Sequence, residues 1–144
     1  MFARLTQNYV KRVAVAIVVL TIAVLFPAQG AFARIAKNTI DDEAVLSRHG
    51  RRLMVTGPIE CTAGERAVVR VTVTQRATGA VAEGGTLISC TGELQHWEIG
   101  AWTLGKASFQ EGAATAVAIA TTHDQGNTSD AHQWLVPITL VGEQ

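Results

Sequence analysis

The side chains best suited to bind a metal ion lie between His123 and His132. The imidazoles at the two ends of this polar stretch could face each other, and three side chains between them offer oxygen atoms: Asp124, Asn127 and Asp130. Histidine suits transition metals, whereas calcium needs six to eight oxygen ligands, and the EF-hand order is absent. A metal-dependent loop module at 123–132 is therefore one hypothesis. An ordinary solvated loop between two strands is the interpretation that we favour, so we predict no metal site.

Catalytic chemistry has little support in the sequence. The chain contains no Gly-x-Ser-x-Gly elbow, no His-Glu-x-x-His pair and no phosphate-binding loop. Glu93 and Glu98 could act as the carboxylate pair of a glycosidase, but five residues along one strand place them on opposite faces. We therefore expect a protein that is not an enzyme and needs no cofactor. A small extracellular hydrolase with a shallow site on one sheet is the alternative.

Two of the three tryptophans lie in the segment Leu94–Thr103. If Ile99 points inward, Trp97 shares its face, while Trp102 falls out of phase. A bulge at Gly100 would return Trp102 to the core, and we favour this interpretation because few aromatic residues are available to fill the interior. Without the bulge, Trp102 would be exposed beside His96 and Glu98. Those three side chains would then form a possible ligand surface for a sugar or a protein.

Cys61 and Cys90 are the only cysteines, and their spacing favours a structural bond. Each lies at the end of a candidate strand and begins a similar turn, Cys61-Thr-Ala-Gly and Cys90-Thr-Gly. A redox pair usually lies two residues apart, whereas these are 29 apart. We expect a disulfide that ties two turns at one end of the domain.

The first 33 residues have the order of a secretory signal peptide. Basic residues precede an uncharged run of 14 residues (13–26), and Pro27 follows. Ala31 and Ala33 are small enough for the peptidase, so we predict cleavage before Arg34, with 28–30 as a weaker site. The alternative is an uncleaved membrane anchor, for which the run is shorter than the roughly 20 residues of a spanning helix.

Length and charge limit the partners. The chain has 144 residues, enough for one domain, with 12 basic and 12 acidic side chains. Removal of 1–33 takes three basic residues and no acidic ones, which leaves nine against 12. Because no basic stripe is present, we exclude nucleic acid as a partner. We expect an extracellular protein or glycan, with a membrane contacted only through an uncleaved leader.

The rest of the chain has the alternation of strands. Val69, Val71 and Val73 share one face of 66–75, and β-branched residues alternate with alanine over 113–122, so the alanine side should lie close to another element. Turn residues, Gly84-Gly85 among them, separate the further strand candidates 53–60, 86–90, 94–103 and 132–141. Strands at this spacing with turns between them indicate a sandwich or a barrel. Pro137 predicts an edge strand or a bulge. Residues 39–50 fit either a capped helix or a hairpin with a turn at His49-Gly50, and we favour the hairpin.

The runs Val55-Thr-Gly-Pro-Ile-Glu-Cys-Thr-Ala-Gly-Glu and Val71-Thr-Val-Thr-Gln, with Cys90-Thr-Gly, Trp97 and Trp134, resemble small secreted bacterial immunoglobulin-like domains of unknown function. The resemblance covers most of residues 45–142 and implies an antiparallel immunoglobulin-like fold. We expect an all-β sandwich of seven to eight strands over 43–144, with 34–42 as a flexible segment. The short spacing of the cysteines departs from true immunoglobulin domains. We therefore expect a secreted, non-catalytic binding or structural module.

Overall fold

The computed structural model describes residues 34–144, and its regular structure there is entirely β-strand. Strands account for 69% of these residues. In chain order they are β1 (Ile35–Asn38), β2 (Glu43–Leu46), β3 (Arg52–Cys61), β4 (Arg66–Gln75), β5 (Ala80–Ser89), β6 (Leu94–Thr103), β7 (Gly112–Asp124) and β8 (Asn127–Gly142). Between Arg34 and Gln144 no helix has the length and apolar character needed to span a bilayer. The leader predicted at 1–33 lies outside the described residues.

Seven of the strands close into a barrel. The ring runs β3-β2-β8-β7-β4-β5-β6, and β3 closes it by pairing with β6 from Arg52↔Trp102 to Glu60↔Leu94. The β2–β8 pairing is parallel, whereas the other pairings are antiparallel. β1 lies beside β3 as an extra strand.

The predicted antiparallel immunoglobulin-like sandwich is therefore wrong. The all-β class is confirmed, but a sandwich keeps two sheets with open edges, and this sheet closes on itself. Alternation along a strand shows which face is buried. It carries no information on which distant strand pairs at the edge, and the closing β3–β6 and β2–β8 pairs are both distant in sequence.

Alternating side chains fill the interior. The inward residues of β4 are Ala67 and three valines, all fully buried, and β7 contributes four alanines with little or no exposure: Ala114, Ala116, Ala118 and Ala120. Small side chains on β7 leave room for the bulky residues of the other strands, such as Leu53, Ile59 and Leu140. The alanine side of β7, which was expected to lie close to another element, faces the barrel interior.

Gly57 makes room for the largest buried side chain. It pairs with Trp97 across β3 and β6, and Trp97 is only 3% exposed. A Cβ atom at Gly57 would lie 2.5 Å from Cζ2 of Trp97 and closer still to the carbonyl oxygen of Thr39. Only glycine therefore fits this part of the wall without displacing the indole or the backbone.

A second glycine permits two strands to cross. β5 and β6 pair only at Ala82↔Thr103 and Glu83↔Trp102, and a Cβ at Gly84 would lie 2.6 Å from the carbonyl oxygen of Gly100. The Gly84-Gly85 pair was predicted as a turn before a strand at 86–90. It lies inside β5 instead, because the close approach to β6 excludes a side chain.

The N-terminal part of the described chain is ordered into strands. The hairpin favoured at 39–50 is confirmed, because β2 and β3 pair at Val45↔Met54 and Leu46↔Leu53. The turn between them is longer than the predicted two residues, since β2 ends at Leu46 and β3 begins at Arg52. Gly50 in that turn has a φ of 64°. The segment 34–42, predicted to be flexible, contains β1 and buries Ile35 and Ile40.

Candidate functional site

Trp102 projects from the outer wall of the barrel. Its side chain is 60% exposed, whereas Trp97 on the same strand is buried as predicted. The β3–β6 register continues through Gly100 without a shift, so the predicted bulge that would bury Trp102 is wrong. Because β6 is regular, His96, Glu98 and Trp102 share its outer face, and all three are exposed.

Arg52 adds a cation to this face. It pairs with Trp102 across the strands, and its guanidinium carbon lies 5.4 Å from the centre of the indole ring, within the range of a cation–π contact. Gly100 makes the contact possible, since a Cβ there would lie 3.1 Å from Nε and Nη2 of Arg52. Arg52 could not be found from the sequence alone, because its position beside Trp102 depends on the barrel-closing register.

Glu83 flanks Trp102 on the opposite side. It is the cross-strand partner of Trp102 on β5, and its Oε1 accepts a hydrogen bond of 3.5 Å from Thr72. We call the surface formed by Arg52, Glu83, His96, Glu98 and Trp102 the Trp102 face. It presents one indole surrounded by cationic, anionic and imidazole groups.

A groove of about 400 Å³ adjoins this face on β5. It is lined on β5 by Glu83, Gly84 and Gly85, and Glu83 also belongs to the Trp102 face. Arg70 supplies a second cation, and the other wall is apolar, formed by Val117 and Ile119 of β7. The groove and the Trp102 face therefore adjoin each other at Glu83.

The predicted disulfide is confirmed at one end of the barrel. Cys61 and Cys90 are bonded, with their Cα atoms 5.3 Å apart. The two similar turns are also joined reciprocally, since the Gly64 N–H donates to the Cys90 carbonyl and the Gly92 N–H donates to the Cys61 carbonyl, both at 3.1 Å. Such a bond is compatible with an oxidising, extracellular environment.

A buried carboxylate lies at the same end. Glu65 is 5% exposed, forms an ion pair with Arg34, and accepts a 2.9 Å hydrogen bond from Ser129. Burial alone would raise the pKa of Glu65, but the hydrogen bond from Ser129 and the charge and hydrogen bond of Arg34 outweigh it and lower the pKa. Glu65 was missed because its partners are 31 and 64 residues away.

The residues considered for a metal site at 123–132 do not form one cluster in the described part of the chain. β7 and β8 extend to a two-residue turn, Gln125-Gly126, with φ values of 47° and 87°, as type I′ turns require. His123 pairs with Thr128 and His132 pairs with Ala120, so the two imidazoles are not cross-strand partners. Throughout residues 34–144, no group of three metal-binding side chains is found.

No protein-family model matches the sequence, and no curated protein matches it either. The comparisons do not bear on the resemblance to secreted immunoglobulin-like domains.

Proposed function

We propose that this protein is an exported, non-catalytic module that binds a carbohydrate chain through the Trp102 face. The observation that carries the proposal is the exposed indole of Trp102, with Arg52 against its ring. Large aromatic side chains are on average highly buried, and one that is mostly exposed on a regular strand contributes little to the core.

The surroundings of Trp102 favour a sugar over a protein partner. One face of a pyranose ring presents C–H groups, which pack on an indole, while its hydroxyl groups need hydrogen-bond donors and acceptors nearby. Arg52 and Glu83 flank the indole and offer both. A protein–protein interface usually centres on aromatic anchors that are buried in a desolvated, well-packed pocket. The cross-strand neighbours of Trp102, Arg52 and Glu83, are instead charged.

Export is supported by two independent features. The first is the Cys61–Cys90 disulfide, a bond that persists mainly in oxidising compartments. The second is the signal-peptide order of residues 1–33. Glycans of a cell envelope or matrix are accessible to a protein in that location.

The test is binding of the secreted protein to a panel of immobilised polysaccharides. Trp102→Ala should weaken binding to the preferred glycan about tenfold, the equivalent of roughly 1.4 kcal/mol of stacking. Leu135→Ala is the matched control, because Leu135 is similarly exposed at 64% but lies on β8, away from the Trp102 face. Loss of binding in both variants, or no glycan bound by the wild-type protein, contradicts the proposal.

A further inference from the structure

Arg34 is held among carboxylates at the disulfide end of the barrel. Its guanidinium forms an ion pair with Glu65 and lies 4.0 Å from Oδ2 of Asp124. Its carbonyl oxygen accepts a 3.0 Å hydrogen bond from the N–H of Thr62. The next N–H along the chain, that of Ile35, donates to Oδ2 of Asp130 at 3.1 Å.

We propose that Asp130 is the binding site for the α-ammonium group of Arg34, which forms when the leader is removed after Ala33. Hydrolysis of the Ala33–Arg34 peptide bond leaves a carboxylate on Ala33 and a positively charged amine on Arg34. The proposal depends on the proposed export and on the cleavage site predicted from the sequence, but not on glycan binding.

Chain geometry places the new charge within reach of its partner. One residue spans at most about 3.6 Å, so the nitrogen of Arg34 lies within about 7 Å of Oδ2 of Asp130. Burial alone would raise the pKa of Asp130, but the N–H groups of Ile35 and Ala131 and the charge of His132 lower it, with a smaller contribution from the N–H of Arg34. His132, whose Nε2 lies 3.4 Å from Oδ2, is the other basic group beside this carboxylate.

The ion pair would strengthen a weakly held strand. β1 lies outside the closed ring and has three register partners in β3, with a shift after the first of them. The hydrogen bond from Ile35 to Asp130 ties the start of β1 to β8. An ammonium group bound at Asp130 would reinforce that tie, so proteolytic processing would complete the fold at this end.

The experiment is a double-mutant cycle on secreted protein expressed from the full chain. Two glycines inserted between Ala33 and Arg34 move the ammonium away from Asp130 after cleavage, while Asp130→Asn removes the carboxylate with little change in shape. Mass spectrometry first establishes the N-terminus of each form. The control carries two glycines after Gln144, which adds the same residues at the other terminus.

We expect the N-terminal insertion to lower the Tm by about 2–4 °C. This is the Tm loss expected when a partly exposed ion pair is removed from a domain of this length. In the Asp130→Asn background the same insertion should change the Tm by less than about 1 °C. Equal losses in both backgrounds would overturn the proposed ammonium site while leaving export intact. A secreted chain that begins elsewhere than Arg34 would also overturn the ammonium site. A retained leader would overturn both the ammonium site and the proposed export.

Discussion

Replacement of Gly57 by alanine should strongly destabilise the barrel. The added Cβ would lie 2.5 Å from Cζ2 of the buried Trp97 and nearer still to the Thr39 carbonyl oxygen. Neither neighbour can move freely, since one is backbone and the other is a 3% exposed ring. Overpacking of this kind costs about 1–3 kcal/mol, and we expect the upper end because two neighbours are affected. Lower entropy of the unfolded alanine variant offsets up to about 1 kcal/mol.

The net loss of about 2 kcal/mol is measured by urea unfolding with the disulfide intact, followed by tryptophan fluorescence. Gly105→Ala is the control, because nothing lies within 4 Å of its added Cβ and its φ is not left-handed. Its stability should stay within about 0.5 kcal/mol of the wild type. In a Trp97→Leu background, Gly57→Ala should cost less, because the smaller side chain relieves the contact with the ring and leaves only the contact with the Thr39 carbonyl oxygen. Equal stability of Gly57→Ala and Gly105→Ala would refute the described packing of Trp97 against β3.

Three further predictions concern the two ends of the barrel. Replacing Cys61 and Cys90 together with alanine should lower the free energy of unfolding by about 3–4 kcal/mol, because the bond closes a loop of about 30 residues; an unchanged urea midpoint would contradict this. Because the pKa of Glu65 is lowered in the folded state, its contribution to stability is present above its ordinary value of 4.5 and is lost as the pH falls through the lower folded pKa. Glu65→Gln should therefore show a shallower loss of unfolding free energy below about pH 4.5, and identical pH dependence would exclude this role. Gln75→Ala should lower the free energy of unfolding by about 2–3 kcal/mol and speed hydrogen exchange at the Gln110 N–H. The reason is that the Gln75 side-chain amide donates to the Gln110 carbonyl at 2.8 Å and accepts from the Gln110 N–H at 2.9 Å. Unaltered exchange at Gln110 would count against this prediction.

The individual strands were largely predictable from local pattern. The bounds of β4 and β6 agree with the sequence prediction because both alternate without interruption. β1 escaped prediction because four residues are too few to show a period. The first half of β5 escaped because Gly84-Gly85 has the composition of a turn, and only the crossing with β6 explains those glycines.

The closure of the barrel was not predictable in the same way. A residue's inward or outward position follows from its place in the alternation, and this was correct for Val69 and Ile99. Which strand pairs with an edge strand depends on how the whole sheet twists and coils. The type of any single residue does not reveal this pairing. The resemblance to immunoglobulin-like domains therefore favoured an open sandwich over a closed ring.

The candidate site was partly visible in the sequence. The alternation itself placed Trp102 beside His96 and Glu98, and the preference for burying aromatic residues wrongly moved it into the core. Arg52 and Glu83 could not be found, because they reach Trp102 only through pairings of β6 with two other strands.

The most direct test of the proposed function is nuclear magnetic resonance of the three indole N–H groups during titration with the preferred polysaccharide. Trp97 and Trp134 have buried indole nitrogens, whereas Trp102 is exposed, and Trp102→Phe identifies its signal. The proposal predicts a saturable shift of the Trp102 signal, with the signals of Trp97 and Trp134 almost unchanged. A Trp102 signal that stays in place while the glycan binds would contradict it.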